Sequence, residues 1–305
     1  MRRIVSTSRG GPTNSHRRFL KKGGGLQHLS LPVSWSLPHA IAIDLDGTLL
    51  DGRSQISERN RKALKSCLDR NIPVIIATSP ALRTVRKLLP SELYGACSLV
   101  TLNGAVGYGA PPLEGFLREE LPEAIAMEII EIVLRREPDA RLVVELDGEH
   151  FGTNVFLEPT ALWKTNAATP DMVLPITEAL GLRPTKVAVN GLGRNLSNLI
   201  VELRERFNSA VSFLPTYDMT FLNIVSLQAS KSRTLGKLLS SKGLDSERVV
   251  AFGDDLPDID LLTACGFSFS MANAAPEVHA AAKYRTGSND EDGVSIVLEE
   301  MLRSI

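Results

Sequence analysis

Short, largely apolar runs recur along the chain, and each stops at polar residues. Residues 40–43 (Ala-Ile-Ala-Ile) run into Asp44, residues 73–77 into Thr78, residues 98–102 into Asn103, and residues 248–252 into Gly253-Asp254. Apolar runs of this length predict strands buried on both faces, as in a parallel sheet covered by helices. Between them the period becomes helical. Ala63, Leu64, Cys67 and Leu68 share one face of a segment that Ser57 can cap and that Asn71 and Pro73 end. Pro80 can open the next helix. Strand, helix, strand, helix, strand predicts a doubly wound α/β domain with a parallel, Rossmann-like sheet.

The pattern changes in the middle of the chain. Residues 106–121 suggest a hairpin linker. Residues 124–136 carry Ile125, Ile129, Ile132 and Val133 at helical spacing, and residues 141–146 alternate like a strand before a turn at Asp147-Gly148. Further strands are expected at 185–189, 211–214 and 221–225, with a helix over 195–207. This mixture predicts a separate α+β module over 110–227, inserted into a core made of 39–109 and 228–305. The doubly wound pattern then returns, with a helix following Lys231, strands at 248–252 and 267–270, and a last helix that Asp292 can cap. Residues 1–38 show no periodicity and are expected to be disordered.

Composition narrows the class. With 43% hydrophobic and 23% charged residues, the 305-residue chain is expected to fold as a soluble globule. No apolar run reaches bilayer length, so no membrane association is expected. A net charge of −1 argues against a nucleic-acid partner. The charge is uneven, because residues 1–37 hold Arg2, Arg3, Arg9, Arg17, Arg18, Lys21 and Lys22 and no acid. An organellar transit peptide is one reading of that segment; a functionless extension or an early start codon is the other. Cys67, Cys97 and Cys265 lack metal-binding spacing and are expected to be reduced, buried hydrophobes in a cytoplasmic protein.

The chemistry gathers at the strand ends. An Asx turn accounts for Asp44 and Gly47 but not for Asp46, a second carboxylate just past an apolar strand. Parallel strands would place Asp44, Asp46, Thr78, Asn103, Asp254, Asp255 and Asp258 on one sheet edge, with Lys231 close in the chain. Carboxylates gathered there require a cation. All-oxygen donors suit Mg²⁺, and Mg²⁺ with a lysine suits phosphoryl transfer. Taken singly, Thr78 reads as a helix cap and Lys231 as a solvated lysine; the joint pattern lifts Asp44, Asp46, Lys231, Asp254 and Asp258 above such readings.

Residues 44–50, Asp-Leu-Asp-Gly-Thr-Leu-Leu, resemble the first motif of the haloacid dehalogenase superfamily. From residue 41 to about residue 302 the chain resembles its Cof-like branch, whose core carries an inserted α+β cap of type IIB. The resemblance implies a Mg²⁺-dependent phosphatase acting on a small phosphorylated metabolite such as a sugar phosphate. It implies Asp44 as nucleophile, Asp46 as general acid and base, and Lys231 as the charge-offsetting residue that holds Asp44. Thr78, Ser79, Asn103 and Gly104 would contact substrate; Asp44, Asp46 through its carbonyl, Asp254 and Asp258 would hold or steady the metal. The branch usually has Thr-Gly-Arg where this chain has Thr78-Ser79-Pro80, and Asn where it has Pro257. A phosphomutase and a catalytically weak metabolite-binding regulator are the rival readings. A monomer or small homo-oligomer is expected.

Overall fold

The computed structural model describes residues 37–216 and 218–305. It also describes the backbone of two short strands, β1 (Arg17–Phe19) and β2 (His28–Ser30), which pair antiparallel. Apart from these strands and residues 37–38, the segment expected to be disordered lies outside the described residues.

The chain enters the main sheet at its middle. Strand β3 (Ala40–Ile43) pairs in parallel with β4 (Val74–Ala77), which pairs in parallel with β5 (Ser98–Thr101). A hairpin, β6 (Val106–Gly109) and β7 (Gly115–Arg118), extends that side antiparallel. Strand β7 thus hydrogen-bonds into this sheet, although the sequence pattern gave residues 110–227 to the inserted module. On the other side of β3 stand β14 (Val249–Gly253), β15 (Phe267–Ser270) and β16 (Tyr284–Arg285), all parallel. Strand order therefore reverses between β3 and β14, the switch point beyond which open α/β sheets bind ligands.

The apolar runs follow from burial on both faces. Ile41, Ile43, Val74, Ile76, Val250 and Phe252 pack into one layer with the helices Glu58–Leu68 and Gly293–Ser304. Ala40, Ala42, Ile75, Ala77, Val249 and Ala251 pack into the opposite layer with the helix Lys231–Ser240. Ser57 caps its helix by accepting a hydrogen bond from the Asn60 amide. Asp292 stands at the start of the last helix without capping it: its backbone is left-handed, and its carboxylate accepts a hydrogen bond from the Ser57 hydroxyl instead. Pro80 does not open a helix either. Its carbonyl accepts the Leu102 amide, and the helix starts at Leu82.

The inserted module is a second sheet in the order β10 (Val173–Pro175), β9 (Phe151–Thr153), β8 (Arg141–Glu145), β11 (Lys186–Asn190), β13 (Phe221–Ser226), β12 (Val211–Pro215). It is antiparallel except for the β9–β10 pair. Side chains alternate across the pleat. Leu142, Val144, Val187, Val189, Leu222 and Ile224 form one face, buried in the module's own core with residues of the helices Glu123–Arg136 and Ser197–Phe207. Register puts Glu145, Lys186, Ala188 and Asn223 on the opposite face.

Candidate active site

Asp44 is the first residue past β3, and its amide donates to the Phe252 carbonyl of neighbouring β14. The chain then turns at Gly47, whose φ is +76°; a Cβ there would sit 2.3 Å from Asp254 Oδ2. Glycine is needed for both reasons. The turn lets the loop lie against β14, where Thr48 donates to Asp254 Oδ1 at 2.6 Å and Asn273 donates to the Gly47 carbonyl at 2.8 Å.

Lys231, buried at the first turn of its helix, binds two carboxylates. Its Nζ lies 2.6 Å from Asp44 Oδ1 and 2.5 Å from Asp258 Oδ1. The other oxygen of Asp258 accepts the amides of Asp254 and Asp255 at 3.0 and 3.2 Å. Pro257 lies in the single helical turn Leu256–Asp258, where its missing N–H leaves this arrangement intact. A second turn locks Lys231 from below. Leu102, Asn103 and Gly104 all have positive φ. A Cβ on Gly104 would fall 2.2 Å from the Ser230 carbonyl, and Thr234 donates to the Gly104 carbonyl at 2.6 Å.

Asp44, Asp254 and Asp258 each bring a carboxylate oxygen within 4.8 Å of the others. Burial and the neighbouring charges of Asp258 and Asp254 raise the Asp44 carboxyl well above its ordinary range, against the pull of Lys231. Burial and the charge of Asp258 raise Asp254 to about 7. Burial opposes the charge on Lys231, but Asp258 and Asp44 together outweigh it and hold the ammonium protonated. One lysine does not neutralise three crowded carboxylates. The donor set is all oxygen, so the cluster fits a hard divalent cation, with Asp44 and Asp254 as its carboxylate ligands and Asp258 anchoring them. Asp46 projects more openly into the cleft, whose walls still displace enough water to raise its carboxyl.

A cavity of about 300 Å³ opens above this floor. It is lined by Asp44, Asp46, Thr78, Ser79, Lys231 and Asp258 from the core, and by Lys186, Thr216, Phe221 and Asn223 from the inserted sheet. Thr78, expected singly to be a helix cap, caps nothing: its hydroxyl is buried and has no partner. Asn103 and Gly104 lie behind the cavity wall. Asn103 donates to the Ser79 hydroxyl at 2.7 Å and accepts from Lys186 at 3.2 Å. Lys186 and Asn223 were not singled out from the sequence. The signal was there in the alternation of Lys186-Val-Ala-Val189, which sends Val187 and Val189 to the module's core and Lys186 the other way.

The sequence model of the haloacid dehalogenase-like hydrolases matches residues 41–298. A Bacillus subtilis protein named 5-amino-6-(5-phospho-D-ribitylamino)uracil phosphatase YcsE is 28% identical over 256 residues, covering 84% of this chain and 92% of its own. A second B. subtilis phosphatase of the same name, YwtE, is 27% identical and covers 86% and 97%. Among solved structures, SMU.1108c of Streptococcus mutans superposes with a TM-score of 0.75 at 23% identity, over 88% of this chain and 100% of its own. BT4131, described as a subclass IIB sugar phosphatase, shares the fold with a TM-score of 0.71 at 18% identity, over 87% and 99%. The chain belongs to the haloacid dehalogenase-like hydrolases. Within that family it is of the phosphatase type, a phosphoric monoester hydrolase. Among the described residues, no helix is long and apolar enough to cross a membrane.

Proposed function

We propose that this chain is a Mg²⁺-dependent phosphatase that hydrolyses a small phosphorylated metabolite, a sugar phosphate or related polyol phosphate, through an aspartyl-phosphate on Asp44. The observation that carries the reading is the buried Asp44 carboxylate, fixed by Lys231 beside Asp254 and Asp258 at the switch point of the sheet.

Asp44 attacks phosphorus with one carboxylate oxygen while the bond to the ester oxygen breaks. Asp46, whose carboxyl is raised, gives its proton to the departing oxygen. Asp46 then takes a proton from the water that attacks phosphorus, which releases phosphate and restores the Asp44 carboxylate. The unpartnered hydroxyl of Thr78 is placed to donate to a phosphoryl oxygen. Lys231 offsets the charge that accumulates. Bound Mg²⁺, held by Asp44, Asp254 and the carbonyl of Asp46, would supply Lewis-acid stabilisation of the phosphoryl oxygens.

The choice of ester rests on the wall above the floor. Asn223 carries a buried Oδ1 with no hydrogen-bond partner, and Thr216 and Phe221 stand beside it in the cavity lining. An orphaned acceptor of this kind is relieved by a hydroxyl of the leaving group. The two B. subtilis relatives named as phosphatases of a phosphoribitylamino-uracil agree with a small phosphorylated substrate. All three cysteines are free and buried, which fits a reducing compartment such as the cytoplasm. The test is phosphate release from ribose 5-phosphate and phenyl phosphate with Mg²⁺. Release that vanishes in Asp44→Asn supports the reading; release that survives in that variant overturns the nucleophile.

A further inference from the structure

Lys186 is a buried cation that stands apart from the Asp44–Lys231–Asp258 contacts. It stands on β11 of the inserted module and is 5% exposed. Its Nζ crosses to the core and donates to the Ser79 carbonyl at 2.8 Å and to Asn103 Oδ1 at 3.2 Å. Both partners are neutral. Among the described residues, no carboxylate lies within ion-pair distance of it, and its third N–H has no partner.

An unpaired buried ammonium is costly, and proteins keep one where an anion will meet it. The cavity it lines has two cations, Lys186 and Lys231. Lys231 is already spent on Asp44 and Asp258. Lys186 is therefore the uncompensated positive charge of the cavity. It touches the residue next to Thr78, whose hydroxyl is unpartnered on the same wall. Cross-strand register with Glu145 and Val225 fixes the lysine on the core-facing side of its sheet.

We propose that Lys186 is a substrate-binding residue, through which the inserted module delivers to the core a cationic contact for the phosphate group of the substrate. This rests on the reading of the cavity as a phosphate-ester site. It also makes the site composite: the anion contact is complete only when β11 is seated on the β4 and β5 strand ends, as it is here. A lysine that served only to join the two modules would be satisfied by its two present acceptors and would not respond to phosphate.

The groups facing Lys186 are known. Burial lowers its ammonium to about 8; Glu145 pulls it up, and Arg83 and Lys231 push it further down. Lys186 thus changes charge in a range where inorganic phosphate is mostly a dianion, which gives a readout that a structural role does not move.

The test is calorimetric titration of the full chain with inorganic phosphate in Mg²⁺ buffer, on either side of pH 8, for the wild type and Lys186→Met. The expected results are affinity lower by about ten- to hundredfold in Lys186→Met below pH 8, the loss of one charge-assisted hydrogen bond, and a fall in wild-type affinity above pH 8 that the variant lacks. Equal affinity in the two proteins, or a wild-type affinity that is flat through pH 8, overturns the proposal. The wild-type profile needs no variant, so it decides the matter even if Lys186→Met does not fold. Phenyl phosphate turnover by the wild type separates the two levels. Turnover with unchanged phosphate affinity in Lys186→Met sinks this inference alone. No turnover and no phosphate binding by the wild type sinks the function and this inference with it.

Discussion

Lys231 and Asp44, 187 residues apart in the chain, meet at 2.6 Å with both side chains buried. The same ammonium holds Asp258 at 2.5 Å. The proposed nucleophile is thus tied by one cation to the residue that orders the loop after β14. Removing that cation leaves two buried carboxylates unpaired, whereas neutralising Asp44 relieves a crowded one. Lys231→Met is expected to cost about 3–5 kcal/mol of stability and to lower phenyl phosphate turnover by at least about a hundredfold. Asp44→Asn is expected to abolish turnover with stability equal to or above that of the wild type. Urea unfolding beside a turnover assay checks both.

The acidic cluster predicts a stability response to metal. With Mg²⁺ at about a hundred times its dissociation constant, the folded chain gains about 2.7 kcal/mol, seen as a higher melting temperature. In Asp254→Asn most of that gain is expected to vanish, because one of the two carboxylate ligands becomes a neutral amide. An equal rise in variant and wild type would place the ion elsewhere.

Arg83 on the core helix Leu82–Leu88 makes a buried two-pronged ion pair with Glu145 of the inserted sheet, at 2.8 and 2.7 Å. It also donates to the Asn166 and Gly148 carbonyls and lies 4.2 Å over the ring of Phe151. Arg83→Met strands a buried carboxylate and is expected to cost about 3–5 kcal/mol. Adding Glu145→Leu is expected to restore most of that, because an apolar pair of similar volume replaces the ion pair. A double variant no more stable than Arg83→Met would show that the arginine acts through its carbonyl contacts instead.

Lys186 predicts the sign of an alkaline effect. Its folded-state ammonium titrates near 8 against an ordinary 10.5. Below pH 8 both states are protonated, and the burial cost is present in full. Between pH 8 and 10.5 the unfolded chain holds the proton more tightly, so stability rises with pH, by on the order of 3 kcal/mol in all. The buried thiols of Cys67, Cys97 and Cys265, raised to about 12, act in the opposite sense over an overlapping range. The quantity to measure is therefore the stability of the wild type minus that of Lys186→Met, which is expected to climb through this window. A difference that stays constant would contradict a lowered lysine.

Much of the core was legible because its signals are local. An apolar strand that stops at polar residues needs only neighbouring residues to be read, and four such strands in parallel have to share an edge. The helices Glu58–Leu68 and Ser197–Phe207 are long enough to show their period. What escaped depends on distant partners or on short elements. The strands Phe151–Thr153 and Val173–Pro175 and the helix Ile176–Leu180 are too brief for periodicity to register. Arg83 looks like any helical arginine until Glu145 is packed against it. Lys186 sits in a strand whose core-facing role is set by its register with β8 and β13. Thr78 read singly was a cap, and only the family resemblance gave it a substrate contact; in the fold its hydroxyl caps nothing and has no partner.

Asp44 is the proposed acceptor of the phosphoryl group. Acyl phosphates are reduced by borohydride, which converts the aspartyl residue to homoserine. The protein is mixed with Mg²⁺ and ribose 5-phosphate, quenched into borohydride during turnover, and mapped by peptide mass spectrometry. Homoserine at position 44, absent when substrate is omitted, is the predicted result. Turnover that leaves Asp44 unreduced, or reduction at another acid, would contradict it.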